Sequence, residues 1–91
     1  MEVSQAAGFA KVYKKLHKNQ LVYVNKAIDT IIANPLVGEL KKGDLAGLRV
    51  YKFSCVNQLT LLGYTFDEDE AALTLIALSS HENFYRDVKR S

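Results

Sequence analysis

Ninety-one residues, 48% hydrophobic and 24% charged, give enough chain for one core and the make-up of an ordinary globular domain spanning 1–91. No apolar run approaches the ~20 residues of a membrane span, Met1 to Gln5 lacks the regions of a signal peptide, and the single Cys55 cannot form an internal disulfide, so a cytoplasmic protein with no membrane role is expected. The net charge is only +2, but four of the ten acids fall in the run Asp67-Glu68-Asp69-Glu70; the remaining six face twelve basic residues, which predicts a basic surface suited to phosphate-rich or acidic partners.

Val3 is a candidate start of a short edge strand. Ala6 to Lys18 follows as a helix, because Phe9, Val12, Tyr13 and Leu16 recur at helical spacing, and Asn19 breaks the pattern. Gln20 to Ala33 reads as a second helix, with Leu21, Val24, Ile28, Ile31 and Ile32 on one face, ended by Asn34-Pro35. The two together form a helical hairpin. Leu36 to Gly47 is a glycine-bearing connector without a nucleotide-binding Gly-Lys-Ser/Thr pattern.

After Gly47 the period changes to two. Strands are predicted over Leu48–Val56, Leu59–Phe66 and Ala71–Leu78, with turns at Asn57-Gln58 and in the acidic run. Short connections imply an antiparallel meander. Ser79 or Ser80 would cap a last helix from His81 to Arg90. Helices grouped before strands predict an α+β fold, with the hairpin on one sheet face and the other face partly open.

No metal-ligand spacing occurs, since His17 and His81 are far apart and Cys55 is alone. The C-terminal segment from Ser79 to Arg90 carries the chemistry. His81 and Tyr85 stand at i and i+4, so on a helix they share a face. An imidazole, a phenol and nearby cations form a metal-free set for phosphodiester chemistry: one group takes a ribose 2′-hydroxyl proton, another protonates the leaving oxygen, and cations offset phosphate charge. The competing reading makes His81 a helix-start residue and Phe84 and Tyr85 packing groups. Lys52 alternates with Tyr51 and Phe53 and is expected on the open face; Arg49 lies on the same strand, and Tyr64 either stacks on a base or fills core.

The stretches Gly47-Leu48-Arg49-Val50-Tyr51-Lys52-Phe53, Leu61-Leu62-Gly63-Tyr64-Thr65-Phe66, and Leu73 to Leu78 followed by His81-Glu82-Asn83-Phe84-Tyr85-Arg86-Asp87 resemble the RelE/ParE superfamily of type II toxins, RelE side foremost. The resemblance runs from about Gly8 to Arg90. It implies a microbial-RNase-like fold, two helices against a small curved antiparallel sheet. It also implies a toxin silenced by a cognate antitoxin, which cleaves mRNA in the ribosomal A site without a metal or other cofactor. ParE-like members of the superfamily poison DNA gyrase instead, and a decayed member would only bind its antitoxin. By this resemblance Lys52, His81 and Tyr85 are the catalytic positions and Arg86 is a phosphate contact; Arg49 on the strand and Lys89 and Arg90 in the basic C-terminal segment are the further cations expected to contact RNA or phosphate. Two positions depart from the RelE pattern: Ser54 replaces a second strand lysine and Leu61 an arginine of the middle strand.

Overall fold

The computed structural model describes residues 1–90, apart from the side chains of residues 87, 89 and 90. In chain order the elements are β1 (Glu2–Gln5), α1 (Ala7–Tyr13), α2 (Lys18–Ala33), β2 (Glu39–Leu40), a 3-10 turn (Gly43–Leu45), β3 (Arg49–Cys55), β4 (Gln58–Asp67), β5 (Ala72–Ser80) and α3 (Phe84–Arg90). Among the described residues no helix is long and apolar enough to cross a membrane.

The helical stripe forms two helices, but the break precedes Asn19. At the end of α1 the backbone tightens, with Lys15 N–H on the Val12 carbonyl and Leu16 N–H on the Tyr13 carbonyl. His17 then caps α2, its N–H donating to Gln20 Oε1 at 2.9 Å. This capping exchange outweighs any breaking tendency of Asn19, which lies inside α2. The relocated joint lets α1 pack over β5 while α2 packs over β3, and the Tyr13 hydroxyl donates to Asn25 Oδ1 at 2.7 Å between the two helices.

The sheet has five strands in the order β1-β5-β4-β3-β2. The expected meander is β3-β4-β5, antiparallel throughout. The sheet as a whole is mixed, because β1 runs parallel to β5 and reaches it through the helices. Two local readings shift. The β3–β4 turn falls on Val56 and Asn57, both at positive φ (50° and 63°), as a two-residue hairpin of the right twist requires. Asn tolerates that region and a β-branched Val does not do so readily, which is why the sequence points one residue too late. The connector also contains β2, whose Glu39 pairs with Val50 and Leu40 with Arg49.

Alternation sorts the strands into two faces. Tyr51, Phe53, Cys55, Leu62, Tyr64, Leu73, Leu75 and Leu78 join Phe9, Val24, Ala27 and Ile31 in the helix-side core. Leu48, Val50 and Leu61 form a second buried cluster with Phe84 on the opposite face. Along β5 the helix-side residues are Leu73, Leu75 and then Leu78. A register shift opposite Gly63/Tyr64 inserts one residue there, so Ile76 and Ala77 both go to the second cluster.

Tyr64 is fully buried at 0% exposure, yet its hydroxyl is satisfied twice. It donates to the Pro35 carbonyl at 2.8 Å and accepts Gly38 N–H at 2.9 Å. Tyr64 therefore fills core and is not a base-stacking platform. Only glycine fits at position 38, where a Cβ would stand 2.8 Å from the Tyr64 hydroxyl. Burial pushes the phenol pKa up, opposed by the Gly38 N–H and the nearby Arg49 charge.

Tyr64→Phe should cost about 1–3 kcal/mol, since the Gly38 donor and Pro35 acceptor lose their partner. Because the folded pKa lies above the unfolded value near 10, this residue's contribution is complete below that pH and falls as pH rises through the folded value. Denaturant melts of both proteins between neutral and alkaline pH check the two effects; wild type should lose more stability than the Phe variant as pH rises above about 10.

Candidate functional site

The face away from α1 and α2 presents Val50, Lys52 and Ser54 from β3, Leu59, Leu61 and Gly63 from β4, and Ala77 and Ser79 from β5, as their cross-strand pairing dictates. The short helix α3 covers its middle. Phe84 is fully buried against Leu48, Val50 and Leu61. It occupies the space over Gly63, where a Cβ would come within 2.7 Å of Phe84 Cζ. Leu61, at 0% exposure, lies under this helix, so the place of the RelE-pattern arginine is dry.

Lys52 is exposed on this face, two residues along β3 from Val50, as alternation predicted. Ser54 is exposed beside it. Tyr85 follows Phe84 in the first turn of α3, and their rings meet edge to face with centroids 5.2 Å apart. The Tyr85 ring lies under the ammonium of Lys41, which is 5.6 Å from its centroid. Lys41 Nζ also contacts Glu39 Oε1 at 3.2 Å. The neighbouring Tyr85 phenol pushes the Lys41 pKa up, burial opposes it, and Glu39 adds to the rise. Lys41 and Glu39, both in the connector, are not among the site candidates that the sequence offers. The signal available was the alternation Glu39-x-Lys41, which puts both on one face of a strand only if the connector pairs there.

His81 is not on α3. Its N–H donates to the Leu59 carbonyl at 3.0 Å, which prolongs the β5 ladder by one residue, and α3 begins three residues later. The His81–Tyr85 pair therefore does not share a helix face. Among the described residues no hydrogen bond or ring contact joins them. His81 is exposed and lines a depression of about 190 Å³ with Gln58, Leu59, Ser80 and Glu82. Lys41 pairs its backbone with Leu48, and His81 pairs with Leu59, which is opposite Ser54. Six residues of β3, roughly 20 Å of strand, separate these two levels.

Arg49 points the other way. Its guanidinium donates to the Gly38 carbonyl at 2.9 Å and the Leu36 carbonyl at 3.4 Å, on the side where Tyr64 anchors the connector. Arg86 is exposed at the start of α3 and donates to Asn83 Oδ1 at 2.8 Å. The side chains of Lys89 and Arg90 lie outside the described residues. The acidic run is an exposed β4–β5 turn in which Asp67 Oδ1 accepts the N–H groups of Asp69 and Glu70. It caps the end of the sheet away from His81, where Asp67 pairs with Ala72. Among the described residues no three His, Cys, Asp or Glu side chains converge on a metal position.

Compared with known families, residues 3–89 match the ParE-like toxin of type II bacterial toxin–antitoxin systems. The chain belongs to that family. This ParE-like toxin is also similar in fold to solved structures. A chain of the RelBE2 toxin–antitoxin complex from Mycobacterium tuberculosis superposes with a TM-score of 0.74 at 20% identity, covering 88% of this chain and 96% of that one. The YoeB/ParE toxin from Agrobacterium tumefaciens gives 0.70 at 18% identity, covering 89% and 99%. An E. coli RelE mutant in complex with an antitoxin RelBc peptide gives 0.66 at 16% identity, covering 99% and 96%. No curated protein sequence matches significantly.

The seat of α3 on the sheet gives a direct test. Gly63→Val should push Phe84 out of its place, cost about 1–3 kcal/mol and speed amide exchange along α3. Thermal melts and hydrogen exchange check this, and unchanged exchange in α3 would contradict the packing described.

Proposed function

We propose that this ParE-like toxin arrests translation by cleaving mRNA in the ribosomal A site. On this reading it works in the cytoplasm as one domain over 1–91, a metal-independent endoribonuclease silenced by a cognate antitoxin. The observation that carries the reading is the sheet face itself: the Tyr85 phenol meets the Lys41 ammonium there, and Lys52 stands exposed on the same surface. Cleavage without a metal needs a group to take the 2′-hydroxyl proton, a group to protonate the departing 5′-oxygen, and cations for the charge building on phosphorus. His81 and Tyr85 are the proton-transfer pair. Both groups have to reach one phosphodiester, so their side chains must close the roughly 20 Å between their backbone levels along the sheet. Lys52 offsets phosphate charge, and Arg86, Lys89 and Arg90 are the proposed phosphate contacts. Arg49 leaves that set, because its donors are engaged by the connector carbonyls on the other face. The complex of the similar E. coli RelE with an antitoxin peptide supports an antitoxin partner here. An acidic segment would suit the surface left when the acids are gathered in one turn.

One observation favours a second reading. Leu61 is sealed beneath Phe84, so the position where the RelE pattern has an arginine offers no cation. A toxin that inhibits by binding, such as a DNA gyrase poison, needs none.

Cell-free translation with purified toxin, with and without ribosomes and with primer extension, separates these readings. New mRNA ends only when ribosomes are present are expected. The His81→Ala, Tyr85→Phe double variant should lose cleavage by about 10²-fold or more and still bind antitoxin. Intact mRNA together with gyrase-dependent DNA breaks would establish the second reading instead.

A further inference from the structure

We infer that Lys41, held by Glu39, is a positioning residue that fixes the Tyr85 phenol for proton transfer; this rests on the cleavage reading above. An ammonium carries three donors and no acceptor. In the Lys41–Tyr85 contact the ammonium lies over the ring, so it takes nothing from the Tyr85 O–H, which can donate outward to an oxygen of the substrate. The ammonium stands 5.6 Å from the ring centroid, so it restrains the ring that carries the hydroxyl. Glu39 Oε1, 3.2 Å from Nζ, accepts a hydrogen bond from the ammonium and fixes where the cation sits.

The platform beneath this arrangement is rigid. Lys41 N–H donates to the Leu48 carbonyl at 2.9 Å, and Glu39 and Lys41 leave β2 on one face. One residue upstream of Glu39, Gly38 is bonded to the buried Tyr64 hydroxyl at 2.9 Å. From the other direction Phe84 is locked into the cluster over Gly63, so the backbone of Tyr85 is placed by its neighbour. The hydroxyl end of Tyr85 is the part that this packing does not fix, and Lys41 fixes it. A functional phenol has to be held to within a fraction of an ångström, and an error of about 1 Å is enough to slow a reaction about 10²-fold.

Single-turnover cleavage on mRNA-programmed ribosomes tests the role. Lys41→Met should lower the maximal rate about 10²-fold with little change in the ribosome concentration at half-maximal rate. Lys41→Arg, which keeps a donor-only cation, should recover most of the rate. In a Tyr85→Phe background, adding Lys41→Met should slow cleavage no further, because the two residues act through one hydroxyl. Hydrogen exchange should find α3 docked in each variant. Wild-type rates from Lys41→Met, or losses that multiply with Tyr85→Phe, would overturn the inference and leave the cleavage reading standing. An undocked α3 in Lys41→Met that Lys41→Arg does not rescue would also overturn it, assigning Lys41 to fastening the helix. A wild-type toxin that leaves ribosome-bound mRNA intact would remove the cleavage reading and the inference together.

Discussion

A single buried hydroxyl holds the two halves of this toxin in register. Tyr64 on β4 reaches through the helix-side core to the segment that follows α2, donating to the Pro35 carbonyl and accepting Gly38 N–H. Arg49, its cross-strand neighbour on β3, donates to the carbonyls of Leu36 and Gly38 from the same side. Without these bonds, the polar backbone groups of a turn against an apolar core would lack partners, which is costly. With them, the turn is pinned and the chain leaves it in line to pair as β2. Everything on the far face of β2, Glu39 and Lys41 included, is placed by that constraint.

The sheet works as a two-sided partition. Its helix side is filled by α1 and α2, and its other side would be open but for α3. One extra residue in β5 lets the strand serve both, since it sends Ile76 and Ala77 together to the second cluster and returns Leu78 to the first. Gly63 leaves room for Phe84, and Phe84 carries Tyr85 to the Lys41 side. The same packing buries Leu61, so the surface available for chemistry is divided. Tyr85 and Lys41 lie toward β2, Lys52 and Ser54 lie along β3, and His81 stands at the rim where β5 ends. Four of the ten acids collect at the end of the sheet away from His81, in a turn that binds its own backbone. That separation leaves Lys52 and His81 away from the acidic run, which suits an anionic strand.

Similarity in fold at 16–20% identity to RelE and YoeB/ParE structures has a physical basis. Strand alternation and the helix stripes need only apolar character and approximate size at core positions. The outward positions between them are free to change chemistry. Ser54 and Leu61 are such positions, one exposed and one capped by a helix, and neither alters the sheet that carries it.

Much of the fold was legible in the chain alone. Period-two patterning gave β3, β4 and β5, the apolar stripes gave α1 and α2, Asn34-Pro35 ended α2, and alternation put Lys52 opposite Tyr51 and Phe53. These features depend on neighbours a few residues apart, so the sequence carries them directly. The β3–β4 turn was read one residue late, because it forces Val56 into a region that β-branched residues avoid. The joint between the helices was misplaced, because a backbone cap at His17 decided it and residue preference did not. The pairing of His81 with Tyr85 on a helix failed because Leu59 captured the His81 N–H and kept it in the β5 ladder. Lys41 was invisible because β2 is two residues long and exists only by pairing with β3. Tyr64 and Arg49 were ambiguous for a related reason: their partners at Pro35, Leu36 and Gly38 lie 11 to 29 residues away. The sequence by itself determined which segments are helix or strand and which residues could do proton transfer. Only the tertiary structure decided which of those residues meet, because contacts between distant segments are set by packing and by the bonding of buried backbone groups, and these leave no local pattern.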